Sequence, residues 1–318
     1  MSSITSKSVK ERSLLFAELS AIPYFEPAQA KKSARSLGFT TTEFYDKSGA
    51  QAYRFMNKSD LVIACRGTQP TEFGDIKADL KAMPVLAETI SRVHRGFKTE
   101  VDDIWPMICE DIDRKSNLDR KLWFCGHSLG AAMATIMASR CKFEERLNDP
   151  VMLFTYGSPR VGWKGYCNSL SVVHHRWKNN NDIVTTVPLS IMGYKHHGTE
   201  HYINAYGQVR NPTGWQRVKD KFRGIWMGLK QGKVDSFSDH SIDEYIKHTD
   251  CIEELNPLYG KDPSLERIIG VKLLSNLLIY AALTNESDLI SRKNVLNILN
   301  TATTIVVINN QIVINRAF

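Results

Sequence analysis

The chain is poor in the features that would mark it as a metalloprotein, a redox protein or a membrane-spanning protein. Its six cysteines (Cys65, Cys109, Cys125, Cys141, Cys167 and Cys251) contain no Cys-x-x-Cys pair and no metal-ligand spacing. No metal and no organic cofactor is expected. Cys65 and Cys125 sit inside apolar runs, where a reduced thiol behaves as a small hydrophobe. No stretch reaches the ~20 apolar residues of a membrane span. The most apolar segment, Ile268 to Leu283, is interrupted by Lys272, Ser275 and Asn276. Near the N-terminus the longest apolar run is Leu14 to Ala17, flanked by Lys10, Glu11, Arg12 and Glu18, too short for a signal-peptide core. A cytoplasmic, reducing setting is the default expectation. Repeats, low-complexity tracts and nucleic-acid motifs are also missing. Basic residues occur only as scattered clusters such as Lys31-Lys32 and His174-His175-Arg176, so nucleic acid is not an expected partner.

What is present suits a globular protein with a substantial core: 318 residues, 42% hydrophobic and 24% charged. Lys and Arg number 41 against 34 Asp and Glu, a formal charge of +7. That balance favours anionic partners, and peripheral contact with an anionic membrane is a candidate. Apolar spacing predicts helices over 8–20, 27–36 and 97–113, with Phe97, Val101, Ile104, Ile108 and Ile112 on one face of the last. Strands are predicted over 41–46, 51–56, 61–65, 151–156 and 171–177. Strands alternating with helices imply a mostly parallel sheet covered on both faces, an α/β fold. The first domain is expected to span 1–258. Residues 259–318 read as an extension of helices over 263–283 and 286–299, then a β-hairpin around Asn309-Asn310. The extension is too small for a good core of its own, so it should pack on the main domain or on a partner. It is a candidate interface, and the oligomeric state stays open.

The strongest local signal runs from Leu122 to Gly130, Leu-Trp-Phe-Cys-Gly-His-Ser-Leu-Gly, followed by Ala131 and Ala132. An apolar strand, a Gly-x-Ser-x-Gly turn and a small-residue helix form the order of elements that a nucleophile elbow requires. Gly126 and Gly130 let strand and helix approach closely, and Ser128 falls at a helix N-terminus, where free N–H groups favour negative charge. The three fixed positions alone recur by accident in about one chain in ten, so the flanking strand and helix carry much of the argument.

A serine hydroxyl needs a base, usually a histidine held by a carboxylate. In α/β-hydrolases the acid and then the histidine follow the serine in the chain. Asp182 closes a predicted strand behind Asn179, Asn180 and Asn181, a position that suits a catalytic acid and an Asx-turn equally. Downstream histidines are His196, His197, His201, His240 and His248, and spacing does not choose among them. His240 stands at the start of a predicted helix, after a loop long enough to reach the sheet edge. His94 and His127 read as structural histidines. Thr68, Ser128 and Asp182 each follow a strand, so they are expected on one edge of the sheet.

The segments Val62-Ile63-Ala64-Cys65-Arg66-Gly67-Thr68, Ala78-Asp79-Leu80, Val93-His94-Arg95-Gly96-Phe97 and Gly126-His127-Ser128-Leu129-Gly130 occur in order. Tyr156-Gly157-Ser158-Pro159-Arg160-Val161-Gly162, Asn181-Asp182-Ile183-Val184 with Val187-Pro188, and Asp239-His240-Ser241-Ile242 with Tyr245 follow them. Across roughly 10–250 this set resembles the fungal-type (class 3) triacylglycerol lipases, especially their intracellular and bacterial members. The resemblance implies an α/β-hydrolase fold, Ser128 as nucleophile, Asp182 as acid and His240 as base. It also implies an oxyanion hole made by Thr68 and Leu129. The family's Trp before the Asp-Leu pair is replaced here by Phe73-Gly74-Asp75-Ile76-Lys77. The stretch from Lys81 to Arg92, where the family's lid lies, is short and only modestly amphipathic.

The activity implied is hydrolysis of lipid-like acyl esters through an acyl-enzyme. The alternatives are an A-type phospholipase acting on anionic membrane lipids, and a catalytically silent module that binds lipid or a partner.

Overall fold

The computed structural model describes residues 3–67, 83–180, 182–204, 206–210 and 240–250, and the backbone of 302–308 and 311–316. The chain divides into two compact units, Met1–Glu254 and Leu255–Phe318.

In the first unit an eight-stranded sheet forms the centre. Its strands are β1 (Thr41–Lys47), β2 (Ala50–Met56), β3 (Asp60–Cys65), β6 (Lys121–His127), β7 (Pro150–Tyr156), β9 (His174–Asn179), β11 (Thr199–Ile203) and β12 (Val209–Arg210), in that spatial order. From β3 through β6, β7 and β9 to β11 every pairing is parallel; the outer pairs β1–β2, β2–β3 and β11–β12 are antiparallel. The central strands are apolar on both sides because both sides are covered. Leu61, Ile63, Cys65, Leu122 and Phe124 face the main core, shared with Phe97, Val101, Ile104, Ile108 and Ile112 of α3 (Arg95–Asp113) and with α4 (Leu129–Phe143). On the opposite face Phe16 of α1 (Val9–Ala21) stacks on Phe154 at 4.5 Å and meets Trp123 at 5.5 Å. Ser8 and Glu11 form a capping box at the start of α1, which satisfies N–H groups that a helix start leaves unpaired. Helix α2 (Pro27–Ser36) follows it in the chain.

Several strands differ from the sequence reading. β9 begins at His174 rather than Ser171 and continues to Asn179, because its register is set by partners: Leu153 lies opposite His174 and Ile203 opposite Asn179. β11, with Thr199, Glu200 and His201, carries no apolar run to announce it. A second, four-stranded sheet was not anticipated. It consists, in spatial order, of β10 (Tyr194–Lys195), β8 (Gly162–Trp163), β5 (Arg92–His94) and β4 (Pro84–Leu86). The short lid expected over 81–92 is, in its described residues 83–92, part of this sheet: Leu86 pairs with Arg92 and Val93 with Gly162. Helices α5 (Lys164–Ser169) and α6 (Ile242–Asp250) complete the described part of this unit. Among the described residues no helix is long and apolar enough to cross a membrane.

In the second unit, β13 (Ala302–Ile308) and β14 (Gln311–Arg316) form an antiparallel hairpin, with Ile305 opposite Ile314. The helical stretches expected over 263–283 and 286–299 lie outside the described residues.

Candidate active site

Ser128 caps the junction between β6 and α4 with φ +58° and ψ −129°, a region that side-chain-bearing residues rarely occupy. The turn can be this tight because Gly126 and Gly130, two residues to either side, carry no side chains. A Cβ on Gly126 would collide with the carbonyl of Gly130, and one on Gly130 with the carbonyl of Cys65. The Ser128 N–H donates to the Tyr156 carbonyl at 3.0 Å, and its hydroxyl makes no capping bond to the helix. Leu129, next in the chain, is the first residue of α4, so its N–H belongs to the set that a helix N-terminus leaves without an intrahelical partner. Thr68 lies outside the described residues. Gly67, which precedes it, is buried against the elbow: a Cβ there would fall 3.0 Å from Ser128 Cβ and 2.6 Å from the His127 carbonyl.

Asp182 and His240 meet from segments 58 residues apart. The His240 Nδ1–H donates to Asp182 Oδ2 at 2.8 Å, and both side chains are buried. With the proton on Nδ1, Nε2 is the basic nitrogen. The Asp182 carboxylate is held from two further directions: Val184 N–H donates to Oδ1 at 2.9 Å and the Tyr245 hydroxyl to Oδ2 at 2.6 Å. The Tyr245 oxygen accepts in turn from Asn179 N–H at 2.9 Å, which ties α6 to the end of β9. Gly157, at φ +60°, makes room for the pair, since a Cβ there would stand 2.7 Å from His240 Cε1 and 2.9 Å from Asp182 Oδ2.

His127 joins the elbow to the His240 segment. Its Nε2 lies 2.6 Å from the His240 carbonyl, and its ring centroid is 4.6 Å from that of His240. A carbonyl only accepts, so Nε2 carries the proton and Nδ1 is an acceptor. The Tyr24 hydroxyl therefore donates to Nδ1, at 2.9 Å, and itself accepts from the Gly67 N–H. Burial, and then the nearby His240, hold His127 well below the usual histidine range, in keeping with a neutral ring that bridges two fixed partners. His94 is likewise pushed down, to about 4, chiefly by burial. Both of its ring nitrogens lack a hydrogen-bond partner among the described residues, so it is buried but not satisfied.

Of the sequence-predicted residues, the fold thus pairs Asp182 with His240 and sets Ser128 and Leu129 on the same edge. Three of the other downstream histidines go elsewhere: the His196 Nε2–H donates to the Thr185 carbonyl, His197 meets His174, and His201 meets His175. Tyr24, the bridging role of His127 and the clearance at Gly157 escaped the sequence reading, because each depends on segments brought together only by folding. Tyr245 was part of a recognised motif, but nothing local indicated its bond to Asp182. Among the described residues no cluster of His, Cys, Asp or Glu could hold a metal ion.

A strained serine at a strand-to-helix turn, beside a buried carboxylate–histidine pair on the edge of a parallel sheet, defines the α/β-hydrolase class of serine hydrolases. Residues 62–192 match the lipase (class 3) family. Toxin TseL of Vibrio cholerae is 26% identical over 212 residues, covering 54% of this chain and 31% of the toxin. Secreted mono- and diacylglycerol lipase 1 of Fusarium solani is 30% identical over 172 residues, covering 50% of this chain and 49% of the lipase. The chain therefore spans 31% and 49% of the length of these two curated relatives. In the solved structure of the native Rhizomucor miehei lipase propeptide complex, 70% of that chain superposes on 62% of this one with a TM-score of 0.55 and 25% identity.

Proposed function

We propose that this protein is a serine carboxylic-ester hydrolase acting on lipid-like acyl esters. The observation that carries the reading is the buried Asp182–His240 hydrogen bond on the edge where Ser128 is held in its strained turn. In the proposed reaction His240 Nε2 takes the Ser128 hydroxyl proton as Oγ bonds to the ester carbonyl carbon. The oxyanion forms where the Leu129 N–H points, with Thr68 as its second donor. Collapse of this intermediate breaks the carbon–oxygen bond to the alcohol, which leaves with the proton from His240. Water, deprotonated by the same histidine, then attacks the acyl-enzyme; the fatty acid departs and Ser128 regains its proton. Asp182 keeps the imidazole in the reactive tautomer and stabilises the imidazolium. The match of residues 62–192 to the lipase (class 3) family and the names of the fungal relatives support a lipid acyl ester as substrate.

The test is to incubate the protein with a fluorophosphonate probe, a short p-nitrophenyl ester, a diacylglycerol emulsion and a phosphatidylglycerol dispersion. The reading requires labelling at Ser128 and ester hydrolysis that Ser128→Ala abolishes. Full hydrolysis by Ser128→Ala, or no labelling of the wild type, overturns it. The ratio of glyceride to phospholipid turnover separates a neutral-lipid lipase from an A-type phospholipase.

A further inference from the structure

The basic cluster His174-His175-Arg176 takes no part in the proposed reaction, and folding divides it. Successive side chains of a strand point to opposite faces. His175 goes to the face of Phe154, on which it stacks at 4.9 Å. His174 and Arg176 go to the other, where they line a cavity with Thr135 of α4, Ser158, His196 and His197. The cavity measures about 10 Å³, room for one body the size of a water molecule.

The hydroxyls and imidazoles in its wall are already engaged. Thr135 donates to the Ala131 carbonyl and Ser158 to that of Pro159. The His196 Nε2–H donates to the Thr185 carbonyl, and His197 donates to that of Leu170. The other nitrogen of His197, Nδ1, therefore accepts from His174 Nδ1–H at 3.1 Å, and His174 Nε2 accepts from the Thr155 hydroxyl at 2.7 Å. Burial pushes all three rings below the usual histidine range, which keeps them neutral in this arrangement. Arg176 is the exception. Its Nη2 donates to Glu200 at 2.8 Å, but Nε and Nη1 have no partner among the described residues, although Arg176 is only 5% exposed. Charged donors left unmet in a buried place are costly, and native structures meet them with solvent or an ion.

The balance of charge favours an anion there. Arg160 lies close enough to Arg176 to be lowered from its ordinary value, first by burial and then by the second guanidinium. Among the described residues Glu200 is the one carboxylate paired with either of them, and Arg160 is met by the Thr186 and Pro188 carbonyls. Two cations thus share one carboxylate beside a cavity whose imidazoles are neutral. We propose that this cavity is a binding site for a monatomic anion of the chloride class, held by the Nε–H and Nη1–H groups of Arg176. Hydrogen bonds from a guanidinium to an anion are among the stronger ones, and the cavity's size excludes a polyatomic anion. Bound there, the anion completes the charge balance between β9, α4 and the segment that carries His196 and His197. It touches neither Ser128 nor the Asp182–His240 pair.

The experiment melts the full chain in sodium chloride and in sodium gluconate, whose anion is too large for the cavity, at equal ionic strength. Crystals soaked in sodium bromide then locate the halide by its anomalous scattering. Wild type should melt higher in chloride, with a dependence on concentration that saturates, and bromide should appear within hydrogen-bond reach of Arg176 Nε or Nη1. Arg176→Lys keeps a cation for Glu200 but lacks both donors, and its chloride affinity should fall roughly tenfold or more. Glu200→Gln removes the carboxylate that competes for the guanidinium, and it should bind chloride about tenfold more tightly. Equal melting of wild type in the two salts, or a water molecule alone in the bromide-soaked cavity, overturns the proposal. So does wild-type chloride affinity in a folded Arg176→Lys. If that variant does not fold, Glu200→Gln decides: tighter chloride binding supports the site and unchanged binding overturns it. None of these readouts involves ester turnover, so their outcome is separate from that of the hydrolase reading.

Discussion

The Tyr245 hydroxyl donates to Asp182 Oδ2 at 2.6 Å, on the same oxygen that accepts from His240 Nδ1 at 2.8 Å. The carboxylate that holds the imidazole is therefore itself held by a side chain from the helix just after that histidine.

Tyr245→Phe removes that donor and the oxygen that accepts from the Asn179 N–H. A lost hydrogen bond to a charged group costs about 1.5–3 kcal/mol. The variant should melt lower, and its kcat on a soluble ester should fall about tenfold with little change in KM. Wild-type kcat in the folded variant would mean that the Asp182–His240 pair holds its geometry without the hydroxyl.

Tyr24 joins two parts of the site, since its hydroxyl bonds both His127 Nδ1 and the Gly67 N–H. Tyr24→Phe leaves that ring nitrogen and that N–H unpaired. It should lower kcat roughly tenfold, about 1.4 kcal/mol in transition-state stabilisation, while the pH profile of the base keeps its shape. Steady-state kinetics of the folded variant from pH 5 to 9 test this. A shifted profile with unchanged kcat would contradict a positioning role.

The backbone at Ser128 stores strain that glycine would relieve. Ser128→Ala keeps a Cβ at φ +58° and removes no capping bond, so its stability should match wild type. Ser128→Gly should be more stable than Ser128→Ala by about 1 kcal/mol, because glycine tolerates this conformation. Both should be inactive. Denaturant midpoints compare them directly, and equal midpoints would place the strain elsewhere.

Buried histidines make stability depend on pH. Burial pushes His175 down to about 4 and His201 to about 3, and both rings are buried within the sheet. Their folded values are depressed, so the unfolded chain binds protons at a pH where the folded chain does not. Stability is then full above the unfolded value of about 6.5 and is lost as pH falls from there toward 4 and 3. Each should contribute about 1–2 kcal/mol of destabilisation between pH 7 and pH 5. Urea unfolding at the two pH values measures the loss, and a flat profile would show that these rings take up protons within the fold.

Much of this was legible in the chain because it is local. The Gly126-His127-Ser128-Leu129-Gly130 turn is written in neighbouring residues, and the steric demand for two glycines acts over a single turn. The helices over 9–21 and 27–36 and the strand over 60–65 follow from apolar spacing that each segment carries alone. The small sheet was not legible. β8 and β10 have two residues each, and they are strands only because β5 offers backbone groups to pair with. The same holds for β11, whose Thr199–Ile203 run is polar and gains its place from pairing with β9.

The sequence by itself determined the elbow, the parallel α/β architecture and the order of serine, acid and histidine. These are set by side-chain size, apolar period and chain order, none of which needs a distant partner. Spacing left the downstream histidines open and the family resemblance singled out His240; only the tertiary structure shows His240 meeting Asp182, with Tyr245, Tyr24 and His127 fixing their surroundings. Those outcomes depend on hydrogen bonds and packing between segments far apart in the chain, whose energies exist only once the sheet has brought them within reach.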